Sequence, residues 1–170
     1  ASVIAENKGN MPCVEAVTFG KIMDLGIKDA NNMGAAMAPA AADTIGGFLN
    51  DTHTTPTDYD LILTGDLGKV GTELLIDLLK KDFGYDISSV HGDCGLMLYD
   101  IETQDVHAGG SGCGCSGSVV NSYIMRQLKE KTLKRVFFVG TGALLSPTSS
   151  MQGESIPSIA HGVLLTSGDE

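Results

Sequence analysis

Short apolar runs of strand length alternate with segments of helical periodicity along this chain, and this order limits the folds open to it. Residues 59–63, 135–140 and 159–166 are apolar runs typical of strands buried on both faces. In residues 70–79, Val and Leu recur at helical spacing, with charged side chains on the opposite face. Buried strands that alternate with helices predict a layered α/β domain.

Four further segments complete the predicted order. Residues 11–23 predict a strand, residues 95–99 a strand-like or loop segment, residues 119–128 a helix, and residues 146–158 a loop. The alanine-rich residues 33–49 predict a helix that Asp29 or Asn31 caps and that Pro39 interrupts or begins. Residues 1–5 read as a strand fragment cut short, so we expect residues 1–170 to be a single domain of a longer protein.

Composition excludes several classes of function. The chain has 21 acidic and 11 basic residues, which give a net charge of −10. Nucleic-acid binding is disfavoured, because the basic residues form no patch beyond Lys129, Lys131, Lys134 and Arg135, which suit the end of a helix. No apolar run reaches the roughly 18 residues that a membrane helix needs.

The cysteines favour a reducing, intracellular compartment. Cys13, Cys94, Cys113 and Cys115 are too few and too irregularly spaced for a disulfide scaffold. Cys113 and Cys115 are one residue apart, closer than structural zinc ligands usually lie, and no second ligand pair matches them. We therefore expect buried small thiols in place of a metal site; Cys115 is expected to serve packing, and the role of Cys113 stays open.

A glycine-rich run, residues 108–117, leads directly into a predicted helix and is the first candidate for function. Glycine allows close approach of a ligand, and a helix start offers free N–H groups to an anion. Gly112, Gly114 and Gly117 match a dinucleotide-binding spacing, but the next strand ends at residues 139–142 without the acidic residue that a ribose needs. A nucleotide is therefore not expected.

Polar groups also follow two other segments. Asp66 comes after a buried strand, where it can contact a ligand or cap the next helix. Asp93 and Cys94 stand between glycines in a similar setting. A different hypothesis is an acyltransferase in which Cys94 or Cys113 is the nucleophile, with a base among the histidines. The base in that hypothesis is His91 or His161; for a thiol of the glycine-rich run, Cys113 or Cys115, His107 is a further candidate base.

Six segments resemble one known family over the whole chain. They are residues 33–44, 58–67, 93–97, 108–117, 141–147 and 155–163. They are similar to the C-terminal half of the stage V sporulation protein AD family, whose members resemble thiolases and ketoacyl synthases. The resemblance implies one half of a two-half thiolase-like fold, a mixed five-stranded sheet with helices on both faces, whose N-terminal half is absent from this chain.

The resemblance also implies that condensing chemistry is lost. In condensing enzymes a histidine follows the strand that corresponds to residues 59–63, and an asparagine lies in the glycine-rich turn. Gly65 or Asp66 stands at the histidine position and Gly110 at the asparagine position. Neither can donate the side-chain hydrogen bonds that stabilise an oxyanion. We expect no catalytic residue and a fold kept as a binding pocket.

The family's role implies the ligand and the partners. The expected ligand is dipicolinic acid or its calcium chelate, taken up during sporulation and released in germination, with calcium present only in that chelate. The expected ligand-binding residues are Gly65, Asp66, Asp93, Cys94, Gly109, Gly110 and Ser111. The expected location is the developing spore, at the inner spore membrane through other stage V sporulation proteins. A third hypothesis is a structural interaction domain, and we expect the chain to form a homodimer in place of the N-terminal half.

Overall fold

Five strands form one mixed sheet in a computed structural model that describes residues 2–6 and 11–168. The strands are β1 (Cys13–Thr18), β2 (Leu61–Thr64), β3 (His91–Asp93), β4 (Arg135–Ala143) and β5 (Ser158–Thr166). Their order is β1-β5-β4-β2-β3; β2 is parallel to β3 and β4, whereas β5 is antiparallel to β4 and β1. The predicted α/β fold with a mixed five-stranded sheet is confirmed.

Helices cover both faces of this sheet. They are α1 (Met33–Thr52), α2 (Gly68–Asp82), α3 (Cys94–Met97), α4 (Cys115–Val119), α5 (Met125–Lys129) and α6 (Pro147–Met151). A π-helical turn, Val120–Ile124, joins α4 to α5. Ile62 and Phe137 pack with α1 and α2 on one face, while Leu63 and Val136 pack with α4 and α5 on the other. Adjacent residues of β2 and of β4 therefore pack into two separate hydrophobic cores, one on each face of the sheet, as expected when both faces are covered.

The helix predicted over residues 33–49 is continuous, so the predicted interruption at Pro39 is wrong. Proline removes one backbone hydrogen bond from a helix. Pro39 is buried with most of α1, and packing against the sheet and α2 holds the helix together across it. The predicted caps are also wrong, because the Asn32 side chain accepts the N–H of Ala35 at 3.3 Å.

Two other segments differ from the prediction. Residues 95–99 are not strand-like: α3 begins there because the Asp93 carboxylate accepts the N–H groups of Gly95 and Leu96. The expected loop 146–158 contains α6, which the Ser146 side chain caps. Residues 2–6 form no strand, and residue 1 lies outside the described residues.

The π-helical turn follows from the spacing of the buried side chains. Cys115, Val119, Ile124 and Leu128 are buried on one side, at intervals of four, five and four residues. In a regular helix, five residues turn by about 500°, which would place Ile124 about 140° away from Val119. A π-helical turn contains more residues than an α-helical turn, so five residues span about one turn here and Ile124 lies on the same buried side as Val119.

Candidate functional site

Three loops meet at the carboxyl ends of β2 and β3, where ligands bind in many open α/β sheets. The N–H of Gly110, in the glycine-rich run, donates to the carbonyl of Gly95 at 2.8 Å. The N–H of Lys69, in the first turn of α2, donates to the carbonyl of Ala108 at 2.9 Å. These bonds bring together the loop after β2, the start of α3 and the glycine-rich run, which carry the site residues predicted from the sequence.

Asp93 lies buried inside this junction and hydrogen-bonds the loop after β2 and the start of α3. Its carboxylate accepts five hydrogen bonds, from Thr64 Oγ1 (2.7 Å), Leu67 N (2.9 Å), Gly68 N (3.0 Å), Gly95 N (3.0 Å) and Leu96 N (3.3 Å). Four of these donors are orphan N–H groups at the starts of α2 and α3, which otherwise have no partner within their helices. Asp93 is 1% exposed and its carboxylate already accepts these five bonds, so it stabilises the loops of the junction and presents no free acceptor at the surface.

Asp66 reaches outward from the same loop and is half-buried. Its Oδ2 accepts Ser111 Oγ at 3.1 Å and the N–H of Gly112 at 3.0 Å, and its Oδ1 accepts Thr141 Oγ1 at 3.1 Å. The alternative of an N-cap is wrong, because α2 begins after Leu67 and its first N–H groups bind Asp93. Asp66 instead joins the glycine-rich run to the end of β4.

The N–H groups of the glycine-rich run are largely in use. Gly109 N donates to Val106 O at 3.0 Å, Gly110 N to Gly95 O, and Gly112 N to Asp66. The expectation that the glycine-rich run offers free N–H groups to an anion therefore needs correction at residues 109, 110 and 112, because protein acceptors already occupy these three donors. Gly109 and Gly112 have positive φ, 116° and 105°, which explains the glycines at these two positions.

An open surface cavity of about 440 Å³, whose lining residues are all exposed, lies immediately after the run. It is lined by Cys113, Gly114, Gly117, Ser118, Asn121 and Ser122. Ser118, Asn121 and Ser122 each donate a side-chain hydrogen bond to the carbonyl four residues earlier. This cavity was not predicted from the sequence, because its six lining residues, all within residues 113–122, form no recognisable ligand motif.

A second cavity lies at the far end of β4 and is mostly apolar. It measures about 400 Å³ and is lined by Ile22, Gly142, Ala143, Leu144, Pro157, Ser158 and Ile159. Ile22 and Leu144 are well exposed there, at 73% and 67%. The backbone bonds between Met23 and Ser158 hold its two walls together.

The buried thiols are poor nucleophiles. Burial, with the nearby charges of Asp93, Cys115 and Asp66, raises the pKa of Cys94 to about 12. Burial, with the charges of Asp66 and Asp93, raises the pKa of Cys115 to about 11. Both thiols stay protonated near neutral pH, and Cys94 is also shielded from contact with a ligand. Cys113, by contrast, is exposed.

The histidines do not supply a base for a thiol. Burial lowers the pKa of His91 to about 4, although the Asp93 charge opposes this, and its Nε2 lies 3.0 Å from Thr64 Oγ1. His161 Nδ1 accepts the N–H of Gly20 at 3.1 Å. Across residues 2–6 and 11–168, no cysteine thiol is hydrogen-bonded to a histidine. In the same residues, no cluster of three or more His, Cys, Asp or Glu is placed to hold a metal ion.

Sequence comparison decides the family. A family model described as Stage V sporulation protein AD matches residues 1–166. The chain belongs to the stage V sporulation protein AD family. Stage V sporulation protein AD of Bacillus subtilis (strain 168) is 54% identical over 164 residues, which cover 96% of this chain and 48% of that protein. This family member therefore spans about half the length of its curated relative.

Solved structures similar to this family member include two condensing enzymes. One is AbyA1, a tetronic acid condensing enzyme, at 13% identity and a TM-score of 0.49, covering 91% of this chain and 47% of that one. The other is 3-oxoacyl-[acyl-carrier-protein] synthase III from Aquifex aeolicus VF5, at 10% identity and a TM-score of 0.48, covering 95% and 46%. None of the helices in the described part of the chain is both long and apolar enough to cross a bilayer.

Proposed function

We propose that this chain is one half of a non-catalytic, thiolase-like protein that binds dipicolinic acid, or its calcium chelate, in the developing spore. The observation that carries the proposal is membership of the sporulation family over residues 1–166. Uptake of the ligand during sporulation, its release in germination and docking to other stage V sporulation proteins at the inner membrane belong to the same proposal.

The geometry supports binding more than condensing chemistry. Gly65 and Asp66 follow β2 at the position where we expect a condensing enzyme to carry its histidine, and the Asp66 carboxylate only accepts hydrogen bonds. Gly110 offers one N–H, which Gly95 already uses. A developing oxyanion needs donors aimed at it, and neither Asp66 nor Gly110 supplies a free one, which supports binding over condensation.

The ligand site that we propose combines the exposed Ser111 with the 440 Å³ cavity beside it. This volume lies within the range of about 300–1,000 Å³ that small-molecule pockets occupy. The Asn121 side-chain amide, in the lining of the cavity, has two N–H groups: one donates to the carbonyl of Gly117, and the other is a donor suited to a carboxylate. The small residues Gly114 and Gly117 leave room for a flat ring, because a Cβ at either position would meet no atom within 4 Å.

Calorimetry on the full-length protein that contains this sequence tests the proposal. We expect saturable binding of dipicolinate, and weaker binding of isophthalate, which has the same two carboxylates but no ring nitrogen. The double variant Gly114→Ala and Gly117→Ala narrows the cavity, so we expect it to lower affinity at least tenfold. Gly47→Ala is the matched control, since Gly47 is also helical with free space around it and lies on α1.

Two results would contradict the proposal. One is the absence of dipicolinate binding by the full-length protein, with and without calcium. The other is turnover of an acyl thioester, which would restore the acyltransferase hypothesis. That alternative currently has no thiol and base in contact in the described residues.

A further inference from the structure

Thr141, near the end of β4, forms a two-way contact with Asp66 that the sequence did not reveal. Its hydroxyl donates to Asp66 Oδ1 at 3.1 Å and accepts the N–H of Asp66 at 3.2 Å. The backbone approaches so closely here that a Cβ at Gly65 would lie 2.6 Å from Thr141 Oγ1. One hydroxyl thus fixes both the backbone and the side chain of Asp66.

The fixed carboxylate in turn holds the glycine-rich run. Asp66 Oδ2 binds Ser111 Oγ and Gly112 N, two consecutive residues. The run is also bonded before them, at Ala108, Gly109 and Gly110, and after them, where the N–H of Cys115 donates to the Gly112 carbonyl and its thiol to the Gly65 carbonyl. Residues 111–112 are exposed and lead into Cys113 and Gly114, which line the 440 Å³ cavity. Their position therefore depends on where the Asp66 carboxylate points.

We propose that Thr141 is a positioning residue for the ligand site: acting through Asp66, it sets the place of Ser111 and Gly112 at the mouth of the cavity. Valine at position 141 would have the shape of threonine but no hydroxyl, leaving Asp66 N without its acceptor and Oδ1 without its donor. Serine would keep both bonds. The link to ligand affinity rests on the function proposed above, whereas the positioning itself does not.

Hydrogen exchange at the Gly112 amide tests the positioning without any ligand. Labelling with ¹³C′-serine and ¹⁵N-glycine selects Ser-Gly pairs, of which this chain has three, at residues 111–112, 116–117 and 167–168. In Thr141→Val we expect the Gly112 amide to exchange about fivefold faster, the factor that loss of one net hydrogen bond gives, and its amide proton shift to move. Gly117 and Gly168 serve as internal references and should not change.

Two variants separate positioning from a general loss of stability. Thr141→Ser should restore the wild-type exchange and shift at Gly112. Thr72→Val makes the same chemical change on α2, where the buried hydroxyl has no hydrogen-bond partner among residues 2–6 and 11–168, and should leave Gly112 unchanged. An unchanged Gly112 in Thr141→Val, or a change that Thr141→Ser does not rescue, would overturn the proposal.

Calorimetry with dipicolinate on the full-length protein completes the test. Thr141→Val should bind severalfold more weakly than wild type, and Thr141→Ser and Thr72→Val should match wild type. Equal affinity in Thr141→Val, despite a loosened Gly112, would show that the position of residues 111–112 does not matter for binding, against the inference. A wild-type protein that does not bind dipicolinate would refute the proposed function, while exchange at Gly112 would still decide the positioning role of Thr141.

Discussion

Two aspartates at neighbouring strand ends have opposite roles, which depend on what surrounds each carboxylate. Asp93 is enclosed by donors from its own loops and is buried. Asp66 is half-buried and binds groups from two separate segments, the glycine-rich run and β4. The first carboxylate stabilises the fold and the second shapes the site, so substitutions at the two positions should affect different measurements.

Replacing Asp93 by alanine should destabilise the protein strongly. The change leaves four N–H groups without their acceptor, and unsatisfied buried donors cost about 1–3 kcal/mol each before relaxation. We expect Asp93→Ala to lower the free energy of unfolding by at least about 3 kcal/mol, measured by urea denaturation. Asp100→Ala is the control, because Asp100 caps an exposed turn through Glu102 and Thr103. Equal losses in both variants would contradict the role of Asp93.

The buried His91 should make stability depend on pH below 6.5. Its pKa is about 4 in the folded protein against 6.5 for an ordinary histidine, so the unfolded chain takes up the proton first. Stability from this group is therefore complete above pH 6.5 and is lost as pH falls from 6.5 towards 4. Thermal melting across this range should show a smaller decline for His91→Gln than for wild type, whereas the exposed His53→Gln should decline like wild type. An identical decline in all three proteins would exclude His91 as the cause.

Thiol labelling should distinguish the exposed Cys113 from the buried Cys94 and Cys115. Cys113 is exposed, whereas Cys94 and Cys115 are buried with raised pKa values of about 12 and 11. We expect iodoacetamide at pH 7.5 to modify Cys113 first and to leave Cys94 and Cys115 unmodified until urea unfolds the chain. Peptide mass spectrometry gives the order, and early modification of Cys94 in the folded protein would contradict its burial.

At the scale of helices and strands, the sequence predicts those elements whose own side chains are apolar. The runs that form β2, β4 and β5 are visible in this way, because each strand is buried on both faces. β3 is not, since His91, Gly92 and Asp93 contain no apolar run and become a strand only by pairing with β2. Tertiary packing likewise keeps α1 helical at Pro39, against the local preference of proline. The same reason limits prediction of the site. Asp66 was predicted from its place after a strand, but its partner Thr141 lies 75 residues away in the sequence, so their contact could not be predicted from local pattern.

A matched pair of glycines on α1 tests helix packing. A Cβ at Gly34 would lie 2.4 Å from the carbonyl oxygen of Leu67 and 2.9 Å from the nitrogen of Gly71, so α1 and α2 must separate to admit it. Gly47, on the same helix, has open space around it. We expect Gly34→Ala to lower the thermal midpoint, and Gly47→Ala to raise stability by up to about 1 kcal/mol through helix propensity. Thermal midpoints that fall for Gly34→Ala and rise for Gly47→Ala would support the close contact of α1 with α2 at Gly34. A midpoint that rises for Gly34→Ala would refute it.

At the scale of the whole molecule, the described chain leaves large apolar side chains uncovered near the carboxyl ends of β1 and β4. Phe19, Ile22, Leu25, Leu144 and Met151 are 86%, 73%, 62%, 67% and 83% exposed. Contacts of Asp24 with Ser155 and of Met23 with Ser158 hold the two segments beside each other. Such a surface favours association over exposure to water.

We therefore expect the 170-residue chain to self-associate. Sedimentation velocity over a hundredfold range of concentration should show a dimer that dissociates on dilution. The double variant Phe19→Ser and Leu144→Ser removes two of the largest uncovered side chains and should shift the equilibrium towards monomer. Val70→Ser and Tyr123→Ser, exposed elsewhere at 43% and 45%, are the control. A wild-type chain that stays monomeric throughout would contradict this expectation.

The place of β5 between β4 and β1 also determines when the sheet can be completed during synthesis. Cys13 pairs with Thr166, so β1 cannot pair with its partner strand β5 until about 150 further residues have been synthesised. As the chain leaves the ribosome, α1, β2, α2, β3 and β4 can assemble through parallel neighbours, while β1 has no hydrogen-bonding partner. Pairing across so long a stretch of sequence is slow. The edge of the sheet is therefore the last part to form, and a stalled or truncated chain that lacks β5 would carry an open β4 and an unpaired β1 as its sites of misassembly.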